Sequence, residues 1–292
     1  MGIVNVTPDS FSDGGLYFSP DAAVEHGLRL VEEGAEVLDV GGESTRPPAY
    51  GPRADVDPEE EIRRVGPVIE RLAARVSVPL SIDTRKASVA RAALSAGATI
   101  VNDVTAGRFD SGLLPDAARA GAAVVLMHMR GTDPNAMQDD LAYADLIGEI
   151  AAQLAEAAER AKAAGIPSAS VAVDPGLGFG KSAGQNLEIL RRLGEIAVSG
   201  HPVVVGASRK GFVSRFAGPA DDPGPARLAG SLAALAVARD GGAAIARVHD
   251  VAESAALLAA LRRGASPDEA AAAAGADGAA FARMASAIRR PA

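Results

Sequence analysis

The stretch that decides the fold is residues 99–128, TIVNDVTAGRFDSGLLPDAARAGAAVVLMH. Two short apolar runs, 99–101 and 123–127, flank a segment with helical spacing of apolar residues over 111–120. Gly121 follows that segment. Many helices end with a residue in the left-handed conformation, and glycine is preferred at that position. Polar residues come directly after each apolar run. The pattern predicts a strand, a helix and a second, parallel strand, with polar groups at the strand ends.

The same unit recurs along the chain. Apolar runs that predict strands lie at 2–6, 37–40, 80–82, 99–101, 123–127, 170–173, 202–205 and 244–248. Helical patterns lie at 20–33, 58–75, 86–96, 111–120, 141–164, 186–198, 226–240 and 252–263. Eight alternations predict an α/β protein, a single (β/α)8 TIM barrel. A doubly wound open sheet is the alternative, because alternation alone does not show closure. The chain length, close to the ~250 residues of a typical barrel, favours closure.

The domain organisation follows from this repeat. Residues 1–264 are predicted to form the barrel, and residues 265–292 an Ala-rich helical tail. The sequence between these two parts gives no sign of a linker between two larger domains.

Composition narrows the class of protein. The chain has 292 residues, of which 48% are hydrophobic, so it can bury a core without disulfides or structural metals. It has no cysteine, and its net charge of −8 argues against a nucleic-acid surface. The first residues lack the basic and apolar regions of a signal peptide, and no apolar run approaches the ~20 residues that span a bilayer. We therefore expect a cytoplasmic protein.

Polar residues stand at the carboxyl end of every predicted strand. In barrels those ends form one rim, which carries the chemistry. A single strand-end Asp is as often a helix cap as a functional group, but a complete ring of such residues predicts an active site. The ring consists of Asn5, Asp39, Asp83, Asn102, Asp103, His128, Asp174, Ser208, Arg209, Lys210, Arg247 and His249.

The last two strand ends predict an anion site. Arg247 and His249 are two residues apart on a strand, so both side chains point to the same face. Lys210 lies in GASRKG after the seventh strand, and the loops after strands seven and eight often bind phosphate in barrels. The cluster suits a phosphorylated substrate. A salt bridge from Arg247 to Asp250 or to a neighbouring loop is the structural alternative.

Residues 174–182, DPGLGFGKS, resemble a nucleotide-binding loop only superficially. A P-loop needs glycine where Pro175 stands, and a dinucleotide motif needs glycine where Lys181 stands. A looser dinucleotide register lacks the ribose-binding acid at the end of the next strand. What remains is a carboxylate, Asp174, followed by a glycine loop that presents Phe179. This pair suits a flat heterocycle rich in N–H groups, although Phe179 could instead pack in the core.

Two glycine-rich loops, 7–15 (TPDSFSDGG) and 41–52 (GGESTRPPAYGP), are candidates for lids over the rim, or else plain surface turns. There is no HExxH motif and no His/Asp/Glu cluster at metal-ligand spacing. A transition metal held by protein ligands alone is therefore not expected.

Taken together, NVTPDSFSDGG, DVGGESTRP, SIDT, VNDV, LMHM, DPGLGFGK, GASRKGF and RVHD, in this order on eight strand ends, resemble the dihydropteroate synthase family. The resemblance runs from residue 2 to about residue 251. It implies condensation of (7,8-dihydropterin-6-yl)methyl diphosphate with 4-aminobenzoate to give 7,8-dihydropteroate and diphosphate, in folate biosynthesis. It also implies Mg2+, a homodimer and competition by sulfonamides at the 4-aminobenzoate site. Helical faces at 228–237 and 255–261 are candidates for the dimer interface.

The resemblance implies roles for single residues. Those assigned to catalysis are Asp13, Asp83, Lys210, Arg247 and His249. Those assigned to the pterin are Asp83, Asn102, Met127, Asp174, Phe179, Gly206 and Lys210. Asn5, Arg247 and His249 are assigned to the diphosphate, with Asn5 also near the metal. The 4-aminobenzoate site is assigned to Phe11, Thr45, Arg46, Pro47, Ser208 and Gly211, with Ser44 beside them. Many members carry a hydroxyl residue where Gly211 stands, so only backbone N–H groups and the N-terminus of a helix can serve there.

Three other functions are alternatives to the dihydropteroate synthase reaction. A pterin-binding methyltransferase barrel would keep the acidic pterin contacts but has no use for the first two loops or the Arg247 and His249 pair. A catalytically silent paralogue would be expected to lack part of the anion or 4-aminobenzoate site. An aldolase would need a Schiff-base lysine at a strand end, and the surroundings of Lys210 argue against that role.

Overall fold

Eight parallel strands form a single sheet in the part of the chain that the computed structural model describes, residues 1–7, 20–44, 55–138, 140–196, 200–218 and 223–290. They are β1 (Gly2–Asn5), β2 (Leu38–Gly41), β3 (Leu80–Asp83), β4 (Ile100–Asp103), β5 (Ala123–Met127), β6 (Val171–Asp174), β7 (Val203–Val205) and β8 (Ala243–Ala246). Every strand pairs in parallel with the next one along the chain.

The sheet closes on itself just beyond β8. Gly2 forms a parallel bridge with Val248. The N–H of Ile3 donates to the carbonyl of Val248 over 3.0 Å, and the N–H of Val248 donates to the carbonyl of Met1 over 2.9 Å. The predicted (β/α)8 barrel is confirmed, and the open doubly wound sheet is excluded.

Helices connect the strands and cover the outside of the barrel. They are α1 (Pro20–Glu32), α2 (Pro58–Ala73), α3 (Ala87–Ser95), α4 (Leu113–Arg119), α5 (Leu146–Ala163), α6 (Ala183–Arg191), α7 (Leu193–Ile196), α8 (Gly211–Ala217), α9 (Pro223–Asp240), α10 (Val251–Arg262), α11 (Pro267–Ala273) and α12 (Gly278–Arg289). The short helix α8 follows the seventh βα loop and begins at Gly211, where a helix N-terminus was expected, but its extent was not predicted. None of the helices in the described ranges is long and apolar enough to cross a bilayer.

Alternation along the strands separates the helix-covered face from the barrel interior. Outward-facing residues such as Val40, Ile82 and Leu126 belong to the apolar core between sheet and helices. The inward-facing residues Val125 and Ala172 form a small separate cluster with Val204, which fills the interior. On β6 the inward position two residues beyond Ala172 is Asp174, so a polar group at the rim lies above this apolar floor.

The C-terminal residues, predicted as one helical tail, contain the two helices α11 and α12. Phe281 and Met284 of α12 are fully buried in the same apolar cluster as Leu232 of α9. The predicted dimer face at 228–237 is therefore wrong for most of its length, because residues 229–236 are buried within this chain. The boundary between residues 264 and 265 stays a prediction.

The start of α6 fixes where the sixth βα loop ends. Ser182 and Gln185 form a capping box, in which the Ser182 Oγ accepts from the Gln185 N–H over 3.3 Å. The Gln185 side chain in turn accepts from the Ser182 N–H over 2.7 Å. This reciprocal cap satisfies two N–H groups that the first turn leaves free, and it holds the glycine loop at its far end.

Candidate active site

A cavity of about 1020 Å3 opens at the carboxyl ends of the strands. The predicted site residues that line it are Asn5, Asp83, Phe179, Gly206, Ser208, Lys210, Gly211, Arg247 and His249, with Ser44. Asn102, Met127 and Asp174 are buried at the ends of their strands. Five further predicted residues, Phe11, Asp13, Thr45, Arg46 and Pro47, lie outside the described residues. The strand ends and the seventh loop therefore bring one connected group of these side chains together.

Arg247 is held by two carboxylates rather than by Asp250. Its Nε donates to Asp39 over 2.6 Å, and its Nη2 donates to Asp83 over 2.7 Å. The same Asp39 oxygen accepts from the amide of Asn102 over 3.1 Å. Asp39 is fully buried, so one carboxylate beneath the rim organises an arginine and an asparagine of the site. The sequence marked Asp39 as a strand-end residue but assigned it no role.

Burial shifts the proton affinity of the groups on the rim. Desolvation raises the pKa of Asp83 to about 7, although the neighbouring Arg247 lowers it in part. Desolvation lowers the pKa of Lys210 to about 8, partly offset by the negative charge of Asp174. Both groups therefore change charge close to neutral pH, which is typical of functional sites.

The glycine loop after β6 presents Phe179 to the cavity. The Nζ atom of Lys210 lies 4.7 Å from the centroid of the Phe179 ring. That amine also donates to the carbonyl of Leu177. Gly178 has φ of +81°, and a Cβ there would lie 3.3 Å from Lys210 Cδ. Glycine at this position thus lets the lysine stem pass close to the backbone.

Asp174 ends β6 with a fixed orientation. Its Oδ1 accepts from the N–H of Gly176 over 2.7 Å, and its backbone carbonyl accepts from the N–H of His128 over 2.8 Å. Burial raises the pKa of the Asp174 carboxyl, whereas the positive charge of Lys210 lowers it. The remaining carboxylate oxygen is the acceptor that this end of the cavity can offer to a ligand.

The loops after β7 and β8 are joined by two contacts. Ser208 Oγ lies 3.1 Å from Nδ1 of His249 and accepts from the His249 N–H over 3.2 Å. Arg209 has a left-handed backbone with φ of +58°, and its Nε donates to Asp250 over 3.1 Å. Asp250 thus pairs with Arg209, not with Arg247. The contacts orient His249 toward the cavity beside Arg247.

Two buried lysines, Lys86 and Lys181, were not predicted to have a role from the sequence. Nζ of Lys86 lies 2.9 Å from Glu43 and 2.6 Å from Glu61, which anchors the start of the second predicted lid loop to α2. Nζ of Lys181 lies 2.8 Å from Nδ1 of His128. A lysine directly after a glycine loop is the signal that the sequence offers for Lys181.

Within the described ranges, no group of three or more His, Cys, Asp or Glu side chains is arranged to hold a metal ion.

Comparison with known proteins decides the family. Residues 1–249 match the family model described as pterin binding enzyme. The dihydropteroate synthase of Mycobacterium leprae is 45% identical to this chain over 254 residues, which cover 86% of this chain and 88% of that protein. The chain belongs to the dihydropteroate synthase family.

Solved structures of dihydropteroate synthases have the same fold. The Xanthomonas albilineans enzyme with 4-aminobenzoic acid superposes with a TM-score of 0.81 at 46% identity, covering 90% of this chain and 91% of that one. The same enzyme in complex with 7,8-dihydropteroate gives a TM-score of 0.79 at 44% identity, covering 90% and 92%. The family resemblance expected from the eight motifs is therefore confirmed across most of the chain.

Proposed function

We propose that the cavity at the rim is where this chain carries out the dihydropteroate synthase reaction, joining a dihydropterin to 4-aminobenzoate with release of diphosphate. One observation carries this proposal. The same cavity is lined by groups that suit a heterocycle and by groups that suit an anion, namely Asp83, Phe179 and Lys210, and Asn5, Arg247 and His249. A substrate that links a pterin to a diphosphate needs both sets in one pocket.

At the heterocycle end, the carboxylates of Asp83 and Asp174 accept hydrogen bonds from the ring N–H groups of the pterin. Asn102, fixed by Asp39, adds a further polar contact. The Phe179 ring offers a stacking face and Lys210 a cation beside it. Met127 and Gly206 complete the walls.

At the anion end, Arg247 and His249 bind the diphosphate. Arg247 brings a guanidinium whose donors match phosphate oxygens, and His249 is oriented by Ser208. Diphosphate oxygens compete with Asp39 and Asp83 for the same guanidinium. Substrate binding therefore changes the electrostatic surroundings of Asp83, the group that contacts the pterin.

The reaction exchanges one bond at the exocyclic methylene carbon of the pterin. The bond from this carbon to the diphosphate oxygen breaks, and its electron pair leaves with diphosphate. The amine nitrogen of 4-aminobenzoate forms the new bond and loses a proton to solvent. Positive charge that develops on the ring is stabilised by Asp83 and Asp174, and negative charge on the leaving group by Arg247. We propose a dissociative step, in which bond breaking leads bond formation.

For 4-aminobenzoate, Ser208 and Gly211 line the described part of the cavity. Gly211 lacks a side chain, so its contribution is limited to backbone N–H groups at the start of α8. The other residues proposed for this substrate, Phe11, Thr45, Arg46 and Pro47, and the proposed catalytic Asp13 lie outside the described residues.

The residues fit a magnesium ion that arrives with the diphosphate. Mg2+ usually keeps several waters and is bound through substrate phosphates plus one or two hard protein ligands. Asn5 lines the cavity with an amide oxygen, a hard ligand of that kind, and it would hold the ion. When bound, Mg2+ neutralises charge on the diphosphate leaving group.

Homodimer formation, a cytoplasmic location and the division of the chain at residue 264 are also proposals. With 229–236 buried, the predicted face at 255–261 remains the candidate interface. Two of its apolar residues, Ala255 and Ala259, are only partly buried.

The experiment that tests the function measures diphosphate release from the pterin substrate, with and without 4-aminobenzoate and with and without Mg2+. We expect stoichiometric diphosphate and dihydropteroate only when all components are present. A series of ring-substituted arylamines tests the dissociative step, since turnover should depend little on amine basicity. A steep dependence on basicity would contradict that step, and an absence of dihydropteroate would contradict the function.

A further inference from the structure

We propose that Lys181 is a positioning residue of the pterin slot, and that its buried amine holds the glycine loop against His128 so that Phe179 and Asp174 keep their binding geometry. The inference rests on the proposed function, because it concerns the slot assigned to the pterin. It starts from a buried cation that the proposed mechanism does not use.

The amine of Lys181 has a complete set of partners. Nζ lies 2.8 Å from Nδ1 of His128, 2.9 Å from the carbonyl of Gly176 and 2.9 Å from the carbonyl of Phe179. Nζ also lies 3.4 Å from the carbonyl of His128. Burial lowers the pKa of this amine, and the negative charge of Asp174 opposes that shift. In its charged form the amine has three N–H donors, one for each of the three nearest acceptors. Only 4% of Lys181 is exposed. Burying an amine to this extent without hydrogen-bond partners would cost folding free energy. Loop conformations that keep these contacts are therefore favoured over those that break them.

His128 supplies an acceptor rather than a second charge. Burial, and then the positive charge of Lys181, lowers the pKa of His128 to about 2. The ring is therefore neutral at physiological pH, and Nδ1 can accept from the ammonium, with the ring proton on Nε2. Because the N–H of His128 also donates to the carbonyl of Asp174, this residue touches the loop at both of its ends.

The loop needs an external support. Gly176, Gly178 and Gly180 all have positive φ, at +69°, +81° and +67°. Glycine has the largest conformational freedom of any residue, so three of them within five positions do not fix the path of the chain themselves. Two residues of the neighbouring connection, between β5 and α5, supply part of this support. Tyr143 donates to the Gly180 carbonyl over 2.8 Å, and Gln138 donates to the Gly178 carbonyl over 3.0 Å.

Lys181 differs from Tyr143 and Gln138 in the groups to which it donates. Its Nζ donates to the carbonyl of Phe179, the residue that offers the stacking face, and to the carbonyl of Gly176. The N–H of Gly176 in turn orients the Asp174 carboxylate. The Phe179 N–H closes the same turn by donating to the Gly176 carbonyl over 3.1 Å. One amine thus fixes the stacking group and the hydrogen-bonding group of the slot relative to each other.

The test compares Lys181→Met, which keeps a linear apolar side chain and removes the donors, with Lys162→Met. Lys162 is exposed on α5 and forms one ion pair, with Glu159 at 3.7 Å. Binding of 6-hydroxymethylpterin is measured by titration without turnover, and KM is measured for both substrates. We expect Lys181→Met to raise the pterin Kd about tenfold or more, the effect of lost buried hydrogen bonds. The 4-aminobenzoate KM should change less than about twofold, and Lys162→Met should match the wild type.

A second pair of variants addresses the case in which Lys181→Met does not fold. His128→Asn places an amide oxygen near the position of Nδ1, whereas His128→Leu removes the acceptor. We expect Leu to weaken pterin binding and Asn to restore most of the affinity. Unchanged pterin affinity in folded Lys181→Met, equal losses for both substrates, or equal affinities of the two His128 variants would overturn the inference. Pterin binding by a wild-type protein that makes no dihydropteroate would count against the proposed function instead.

Discussion

Nη2 of Arg247 donates a hydrogen bond to a carboxylate oxygen of Asp83 over 2.7 Å. Arg247, which is proposed to bind the diphosphate, and Asp83, which is proposed to accept hydrogen bonds from the pterin, are therefore in direct contact. Asp39 holds the other side of the guanidinium. A change of charge at one end of the cavity thus alters the proton affinity of a group at the other end, and several measurable effects depend on this coupling.

The first prediction is a narrow pH optimum. In the proposed function Asp83 accepts from the pterin as a carboxylate, so activity should fall as pH drops below its pKa of about 7. Lys210 is proposed to act as a cation, so activity should fall as pH rises above its pKa of about 8. We expect a bell-shaped profile of kcat/KM for the pterin substrate, with its maximum between these values. Steady-state rates across this range in buffers of constant ionic strength would check it, and a flat profile across both pKa values would refute it.

The second prediction concerns Arg247→Met. Loss of a cation that stabilises the leaving group should lower kcat/KM about 100-fold to 1000-fold. Since Arg247 lowers the pKa of Asp83, the acid limb of the residual activity should also move to higher pH. The measurement is the pH profile of the variant beside that of Arg119→Met, a surface change on α4 that should leave the profile unaltered. An acid limb that stays in place would argue against the coupling.

The third prediction separates binding from stability at Asp174. Asp174→Asn retains an oxygen for the Gly176 N–H but loses the charge, and pterin affinity should fall about 100-fold as a charge-assisted contact is lost. Burial raises the Asp174 pKa, so the stabilisation of the folded state by the protonated carboxyl is complete at low pH and is lost as pH rises. The asparagine side chain stays neutral as the pH rises. At pH about 8 the melting temperature of the variant should therefore be no lower than that of the wild type. Calorimetry and pterin titration measure the two effects, and retained affinity would contradict the assigned slot.

The fourth prediction uses two left-handed glycines. Gly176 has φ of +69°, and a Cβ there would lie 1.9 Å from the carbonyl oxygen of His128. Gly121 has φ of +67°, with nothing within 4 Å of the added atom. Gly121→Ala should cost about 1 kcal/mol of folding free energy through backbone strain alone. Gly176→Ala should cost several-fold more and weaken pterin binding. Equal losses in denaturant unfolding would show that the clash is relieved by local movement.

The sequence predicted the features that depend on local pattern. Short apolar runs located the strands, helical spacing and glycine at helix ends located the helices, and polar residues after each run located the rim. Arg247 was placed correctly at the last strand end, but its partners were not found. Asp39 is 208 positions away and Asp83 is 164, so only closure of the barrel brings them together.

Lys181 was missed for a different reason. In the sequence it follows a glycine loop and looks like a surface or phosphate-binding cation, because nothing nearby reveals that its acceptors are backbone carbonyls and a histidine on the preceding loop. The extent of helix α8 was not predicted because seven residues give too short a pattern to distinguish from a loop.

The bridge between Gly2 and Val248 joins the two ends of the folded domain, and Val248 stands between Arg247 and His249. The entropy cost of forming a contact grows with the length of chain that it closes, so this seam requires the largest loop closure of any strand pairing in the described sheet. The position of Arg247 and His249 thus depends on the pairing that closes the barrel. Fraying at the seam would release these two residues while the remaining strands stay paired, and amide exchange at Ile3 and Val248 reports its frequency.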